Sequence, residues 1–157
     1  MALVPMRVIL EATEKYGFAQ AAYNMHTVSQ AKALMEVHEM FRSPAIIQGA
    51  ELACAFMGGR PDFANGTLAD KRIGAGNIMA AVRKYAENSP VPVAIHLDHG
   101  KSIEVCAAAI EAGYTSVMID GSHLPMQENI ELTREVVKLA HPRGVTVEGE
   151  LCVLAGV

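Results

Sequence analysis

The sequence predicts an α/β protein of the (β/α)8 barrel type, of which it holds about the first five βα units. Three observations lead there. Stretches with helical apolar spacing alternate strictly with short runs rich in Val, Ile and Leu, the pattern of a buried parallel sheet joined by helical crossovers. Aromatic residues make up only 5% and Trp is absent, so Ala, Val, Ile, Leu and nine Met supply the apolar mass. Polar residues gather at the C-terminal ends of the strand-like runs: Asn24, Gln48, Asp98 with His99, Asp120, and Glu148 with Glu150. In a barrel those ends share one mouth, where active sites are built.

Each element has its own signal. Residues 5–16 read as a helix, with Met6, Ile9, Leu10 and Thr13 at helical spacing behind Pro5 and Gly17 as the stop. A short strand is expected over 18–25. Residues 29–41 form the next helix, with Ala33, Leu34, Val37 and Phe41 on its core face and a break at Ser43-Pro44. The apolar run 45–48 is a buried strand. From 49 to 76 the pattern is irregular, and the Gly-, Pro- and Asn-bearing run 58–66 reads as an exposed loop. A helix follows over 73–87 in spite of Gly74 and Gly76, carrying Ile78, Ala81, Val82 and Tyr85 on one side. Beyond Asn88-Ser89-Pro90, residues 91–97 make a strand that ends in His96-Leu97-Asp98-His99-Gly100. Ser102 is placed to cap a helix over 103–112 and Gly113 to end it. Residues 114–119 form a strand, 126–140 a helix stopped by Pro142-Arg143-Gly144, and 145–151 the last strand.

A doubly wound open sheet shares this alternation. Its glycine fingerprint is missing after the first strand, where Asn24-Met25-His26-Thr27 stands instead. A complete barrel takes about 250 residues, so the 157 residues here are expected to be the N-terminal part of one barrel domain, ending before the closing strands.

Composition narrows the function classes. With 51% hydrophobic and 19% charged residues and a net charge of −4, disorder is excluded and no basic surface invites nucleic acid or an anionic membrane. No apolar run reaches the roughly 18–20 residues of a membrane span. The N-terminus lacks a signal-peptide pattern, and three widely spaced cysteines form neither a disulfide framework nor a metal-binding pair. A cytoplasmic setting is expected.

The densest chemistry is His96-Leu97-Asp98-His99-Gly100 at a strand end. A neutral imidazole suits a divalent transition metal, and a neighbouring carboxylate serves as base or supporting partner. Strand alternation would send Asp98 and His99 to opposite faces and so give them separate roles at the rim. Asp120 ends the next strand. Glu148 and Glu150, two apart, would point to one side of the last, toward the barrel interior. Buried carboxylates without a cation are costly, so a metal or a cationic substrate is implied.

The runs H-L-D-H-G, S-V-M-I-D-G-S, Q-E-N-I with T-R-E-V-V, and V-E-G-E-L, in that order, closely resemble the class II, metal-dependent ketose-bisphosphate aldolases. The likeness extends from about Tyr16 to Val157. It implies a (β/α)8 barrel and zinc-dependent, reversible cleavage of fructose or tagatose 1,6-bisphosphate to glycerone phosphate and glyceraldehyde 3-phosphate. By the same resemblance Asp98 matches the catalytic acid/base at the C4 hydroxyl and His99 a zinc ligand. Asp120 and Glu150 match acidic residues at an alternative or second metal position, and Asn24, in A-Y-N, matches a residue near the substrate. The other two zinc histidines and the phosphate loops belong to later strands in the family, and a dimer or tetramer is implied for the complete enzyme. Two departures stand out. Ala50 replaces a serine that serves the substrate phosphate in relatives, and Cys152 stands where a glycine is usual.

The remaining candidates read as structural. His26, His38, His123 and His141 are expected as surface or cap residues, Cys54 and Cys106 as core, Cys152 as core or rim, and the methionines as core filler. Glu148 is expected to brace the rim, while Asp120 is either a metal contact or a cap. Lys101, Arg134 and Lys138 are expected in solvent. Two other functions compete with the aldolase reading: a non-catalytic half-barrel that self-associates or docks a partner, and a metal-dependent barrel lyase acting on another phosphorylated sugar. The chain by itself is expected to be nearly inactive, since one imidazole with carboxylates holds zinc less well than three histidines.

Overall fold

The computed structural model describes residues 3–153. Helix α1 (Met6–Tyr16) is followed by β1 (Ala22–Asn24), α2 (Val28–Met40), β2 (Ala45–Gln48), α3 (Glu51–Met57) and α4 (Leu68–Ala86). Then come β3 (Val93–Gly100), α5 (Ile103–Ala112), β4 (Ser116–Ile119), α6 (Met126–Ala140) and β5 (Thr146–Gly149). The strands are parallel and lie in the order β1-β2-β3-β4-β5. That order never reverses, as it would at the crevice of a doubly wound sheet, and it is the run of a barrel wall.

Alternation along the strands divides the apolar residues between two faces. Ala45, Ile47, Val93, Ile95, Leu97, Val117 and Ile119 pack with α2, α3, α4, α5 and α6 in the main core. Ile46 and Ala94 point the other way, into a smaller cluster with Met6 and Ile9 of α1. Helix α1 therefore covers the inner face of the sheet near the strand starts. The Val4 N–H donates to the Val93 carbonyl at 2.9 Å, and the Arg7 N–H to Thr146 Oγ1 at 3.1 Å.

Local chemistry explains the boundaries. Gly17 ends α1 at φ 68°. Thr27 and Gln30 form a reciprocal capping box on α2, and Thr67 with Asp70 does the same on α4. Ser102 caps α5 and Gly113 ends it at φ 104°, as the sequence predicts.

Four expectations about the helices and the methionines need correction. Residues 51–57 are a helix rather than irregular chain, and α4 begins at Leu68 rather than 73. Gly58 and Gly74 mark where the two helices meet: a Cβ at Gly74 would run into the Cys54 carbonyl, and one at Gly58 into the Asp70 carbonyl. The glycines that weaken the helical signal let α3 and α4 meet backbone to backbone. The core face of α2 carries Ala31, Met35 and His38, whereas Val37 and Phe41 are exposed. That side of α2 lies beside β1, which pairs only with β2 among the described residues; Leu34 still packs on the core, while Ala33, Val37 and Phe41 stay exposed. Met40 and Met126 are exposed, so the methionines are not uniformly core.

Candidate functional site

Strand β3 runs three residues past its predicted end and carries the central pair. Its register against β4 shifts between Leu97 and Gly100, and His99 sits at φ 49°, a left-handed backbone unusual for a non-glycine residue. This bulge, rather than plain alternation, separates the two roles. Asp98 lines a cavity in front of β1 and β2, while His99 turns toward β4 and β5.

His99 Nδ1 lies 3.0 Å from Asp120 Oδ2 and 3.4 Å from Glu150 Oε2. One donor atom from each of the three falls within 4.8 Å of the others, the one such His/Cys/acid group among the described residues. Asp120 is fixed from its other oxygen, which accepts the Ser122 N–H at 3.1 Å and the Ser122 hydroxyl at 2.6 Å. Glu150, just past β5, is held by the Asn129 side-chain amide donating to its carbonyl at 2.7 Å.

The donor set fits a divalent cation. One Nδ1 proton can serve one acceptor, and Asp120 is the nearer; a cation held at Nδ1 would take that proton's place. Glu150 Oε2 is thus buried without a hydrogen-bond donor, and an orphaned carboxylate oxygen is what a cation would satisfy. One imidazole with two carboxylates suits zinc or another divalent metal.

Protonation follows from position. Burial pushes the Asp98 carboxyl up and the Asp120 charge adds to this, partly offset by His99. Burial alone would also raise Asp120, but the Ser122 and His99 hydrogen bonds outweigh it and hold the group at about 2. For His99 burial acts downward and is outweighed by the Asp120 hydrogen bond and the Asp98 and Glu150 charges, so its pKa rises. Below this layer His96 is buried, its Nδ1 2.8 Å from Ser116 Oγ. Burial lowers it to about 4, with His99 a smaller cause. Its 3.5 Å approach to Glu148 is therefore a contact of neutral imidazole with carboxylate, not an ion pair.

The cavity beside Asp98 measures about 340 Å³. Asn24, His26 and Asp98 supply its polar side; Ala50, Leu52, Ala53, Phe56 and Phe63 supply the rest.

All five site residues expected from the sequence reach the mouth, in two groups: Asn24 with Asp98, and His99 with Asp120 and Glu150. Glu148 departs from expectation, its side chain being 46% exposed and its rim role reduced to the contact with His96. His26 is exposed, as expected, and also lines the cavity, whereas His38, expected as a surface or cap residue, is buried. Cys152 is exposed at φ 70°, a conformation that glycine takes freely, which accounts for the usual residue there. Lys101 follows β3 directly, its side chain exposed and its N–H donating to Glu51 at 2.7 Å.

Sequence reasoning missed Glu51. It is buried, ion-pairs with Lys71 at 2.6 Å, and ties α3 to α4 and to the end of β3. A lone acid in the apolar run Ala50-Glu51-Leu52-Ala53-Cys54 is the signal that could have found it.

Comparisons with known proteins bear on the family and the fold. A family model described as fructose-bisphosphate aldolase class II matches residues 4–157. The fructose-bisphosphate aldolase of Geobacillus stearothermophilus is 40% identical over 99% of this chain and 50% of its own length. The 6-phospho-5-dehydro-2-deoxy-D-gluconate aldolase of Halalkalibacterium halodurans is 36% identical over the same shares. The crystal structure of the YdjI aldolase from Escherichia coli K12 superposes with a TM-score of 0.78 at 28% identity, covering 95% of this chain and 50% of the other. The chain spans about half the length of the curated relatives it matches.

Proposed function

The chain belongs to the class II fructose-bisphosphate aldolase family, and from that premise we propose that the full-length gene product catalyses reversible, metal-dependent aldol cleavage of a phosphorylated ketose. Fructose and tagatose 1,6-bisphosphate are the reference substrates, giving glycerone phosphate and glyceraldehyde 3-phosphate. The observation that carries the reading is the division of the rim. Asp98 faces a cavity, while His99, Asp120 and Glu150 converge beside it around an unsatisfied Glu150 oxygen.

His99, with Asp120 and Glu150 at the same position, would hold Zn2+ or another divalent cation, and such an ion supplies Lewis-acid polarisation of the ketose C2 carbonyl. In cleavage Asp98, as carboxylate, takes the proton of the C4 hydroxyl. The C3–C4 bond breaks, C4 becomes the aldehyde carbon, and the bonding pair passes through C3 toward the C2 oxygen. In condensation Asp98 returns the same proton to the aldehyde oxygen. Its raised pKa brings acid and base forms closer in energy, as a group working in both directions requires. Asn24 orients the substrate hydroxyl, and the apolar wall limits water at the reacting carbons. The protein works in the cytoplasm as a homo-oligomer in this reading.

A coupled assay of the full-length gene product, with and without chelator, tests the reading. Turnover that chelator abolishes and divalent metal restores supports it. Chelator-insensitive turnover, or none with metal present, overturns it. The 157-residue chain alone is expected to show little turnover and weak zinc retention, because one imidazole must serve where three nitrogens bind more firmly.

A further inference from the structure

We infer that Glu51 is a positioning residue: through the main chain of Lys101 it holds the left-handed turn at His99, and so aims His99 at Asp120 and Glu150 and Asp98 into the cavity. This rests on the aldolase reading for the work those groups do, and adds the residue that sets their direction.

Up to His96, strand β3 is fastened on both sides. Gln48 of β2 and Ser116 of β4 lie beside it, and its carbonyl accepts the Gly49 N–H at 2.9 Å. Strand β2 ends there, and the register toward β4 shifts just beyond, between Leu97 and Gly100. His99 lies inside that irregular stretch at φ 49°. A non-glycine residue keeps such a backbone only where its surroundings fix it. The fixing comes at the next peptide. On the β4 side the Gly100 carbonyl accepts the Asp120 N–H at 2.9 Å. On the side that β2 has vacated, the Lys101 N–H donates to Glu51 Oε2 at 2.7 Å. Gly100 lets that peptide sit close, since a Cβ there would meet the Met118 carbonyl at 2.7 Å.

The carboxylate divides its two oxygens. Oε1 takes Lys71 Nζ at 2.6 Å, which neutralises a side chain otherwise buried as a bare anion, and Oε2 is given to the turn. Glu51 is 6% exposed and opens α3, whose Leu52, Ala53 and Phe56 wall the cavity. One side chain therefore fixes the wall of the cavity and the strand end that carries Asp98 and His99.

Two variants of the full-length gene product that differ in a single acceptor test this: Glu51→Gln with Lys71→Met, and Glu51→Leu with Lys71→Met. Both remove the buried pair and leave no charge behind; the glutamine keeps an oxygen for the Lys101 N–H, and the leucine has none. Zn2+ is titrated by calorimetry into metal-stripped protein, folding and stability are followed by circular dichroism, and kcat is measured at saturating Zn2+. The glutamine variant is expected to stay within about threefold of the parent in Zn2+ affinity, and the leucine variant to fall at least about tenfold below it in affinity and kcat. Equal affinities in the two variants overturn the inference, whether both match the parent or both fall; turnover by the parent then leaves the aldolase reading standing. A split in affinity, with a parent that cleaves no phosphorylated ketose, keeps Glu51 as the residue that aims His99 and overturns the aldolase reading. Should the leucine variant not fold, Glu51→Asp takes its place, keeping the charge and drawing the oxygens back by one carbon–carbon bond. It is expected to lose at least about tenfold in Zn2+ affinity, and unchanged affinity overturns the inference.

Discussion

The two sides of the mouth are built by opposite means. On the β3–β5 side every group is charged or polar and tied to a neighbour: His99 to Asp120, Asp120 to Ser122, Glu150 through its carbonyl to Asn129, and His96 to Ser116. On the β1–β2 side the wall is mostly apolar, with Asn24 and His26 as its polar side chains and those of Thr27 and Gln30 spent on the α2 cap. The first side holds charge in place, whereas the second merely leaves room. Variants on the first should therefore abolish chemistry, and variants on the second should redistribute substrates.

Asp98→Asn breaks the contrast most sharply. It keeps the cavity's shape while removing the proton carrier, and kcat is expected to fall by about 10²–10⁴-fold with metal content unchanged, as read by elemental analysis. A loss of metal instead would mean that Asp98 belongs to the His99 group. Next, Glu150→Gln removes the orphaned anion, and metal affinity by titration calorimetry is expected to drop about 10–100-fold. Unaltered affinity would leave Glu150 as scaffold.

The pH dependence sharpens the comparison within the charged side. His96 binds a proton near 6.5 when unfolded and only near 4 when folded. Its contribution is therefore complete above pH 6.5 and lost as pH falls toward 4, to a total of about 3 kcal/mol. The chain has no Trp, so denaturant curves followed by circular dichroism are the suitable measurement. A flat stability across that window would contradict a neutral buried His96. Smallest is Thr27→Ala, which removes the α2 cap beside the cavity and is expected to cost about 1 kcal/mol in the same experiment.

The legible parts of this fold are those whose signal is local. Strand β2 over 45–48, α5 between Ser102 and Gly113, and α6 over 126–140 coincide with the reading from spacing and caps. The motif residues at the strand ends met because parallel strands in sequential order bring those ends to one rim. What stayed hidden depends on distant partners. Helix α3 has seven residues, too few to show a period, and Gly74 reads as a weakness until Cys54 lies against it. Strand β1 has three residues rather than the eight expected, and among the described residues it pairs with β2 alone. Leu34 packs on the core as its spacing suggests, but Ala33, Val37 and Phe41 of the same stripe are exposed, and spacing cannot tell an inward face from an outward one. No spacing rule could have foreseen the left-handed turn at His99, which aims the imidazole.

The glycine contact that locks α3 onto α4 also decides how the cavity yields. With the two backbones in touch at Gly58 and Gly74, Leu52 and Phe56 stand on a stiff jamb that cannot swing. Phe63, half exposed on the single turn Phe63–Asn65 between them, is not held by that contact. Guests that grow longer toward Phe63 should be accommodated, and guests that grow bulkier toward Leu52 should be refused, so size tolerance in this protein is directional.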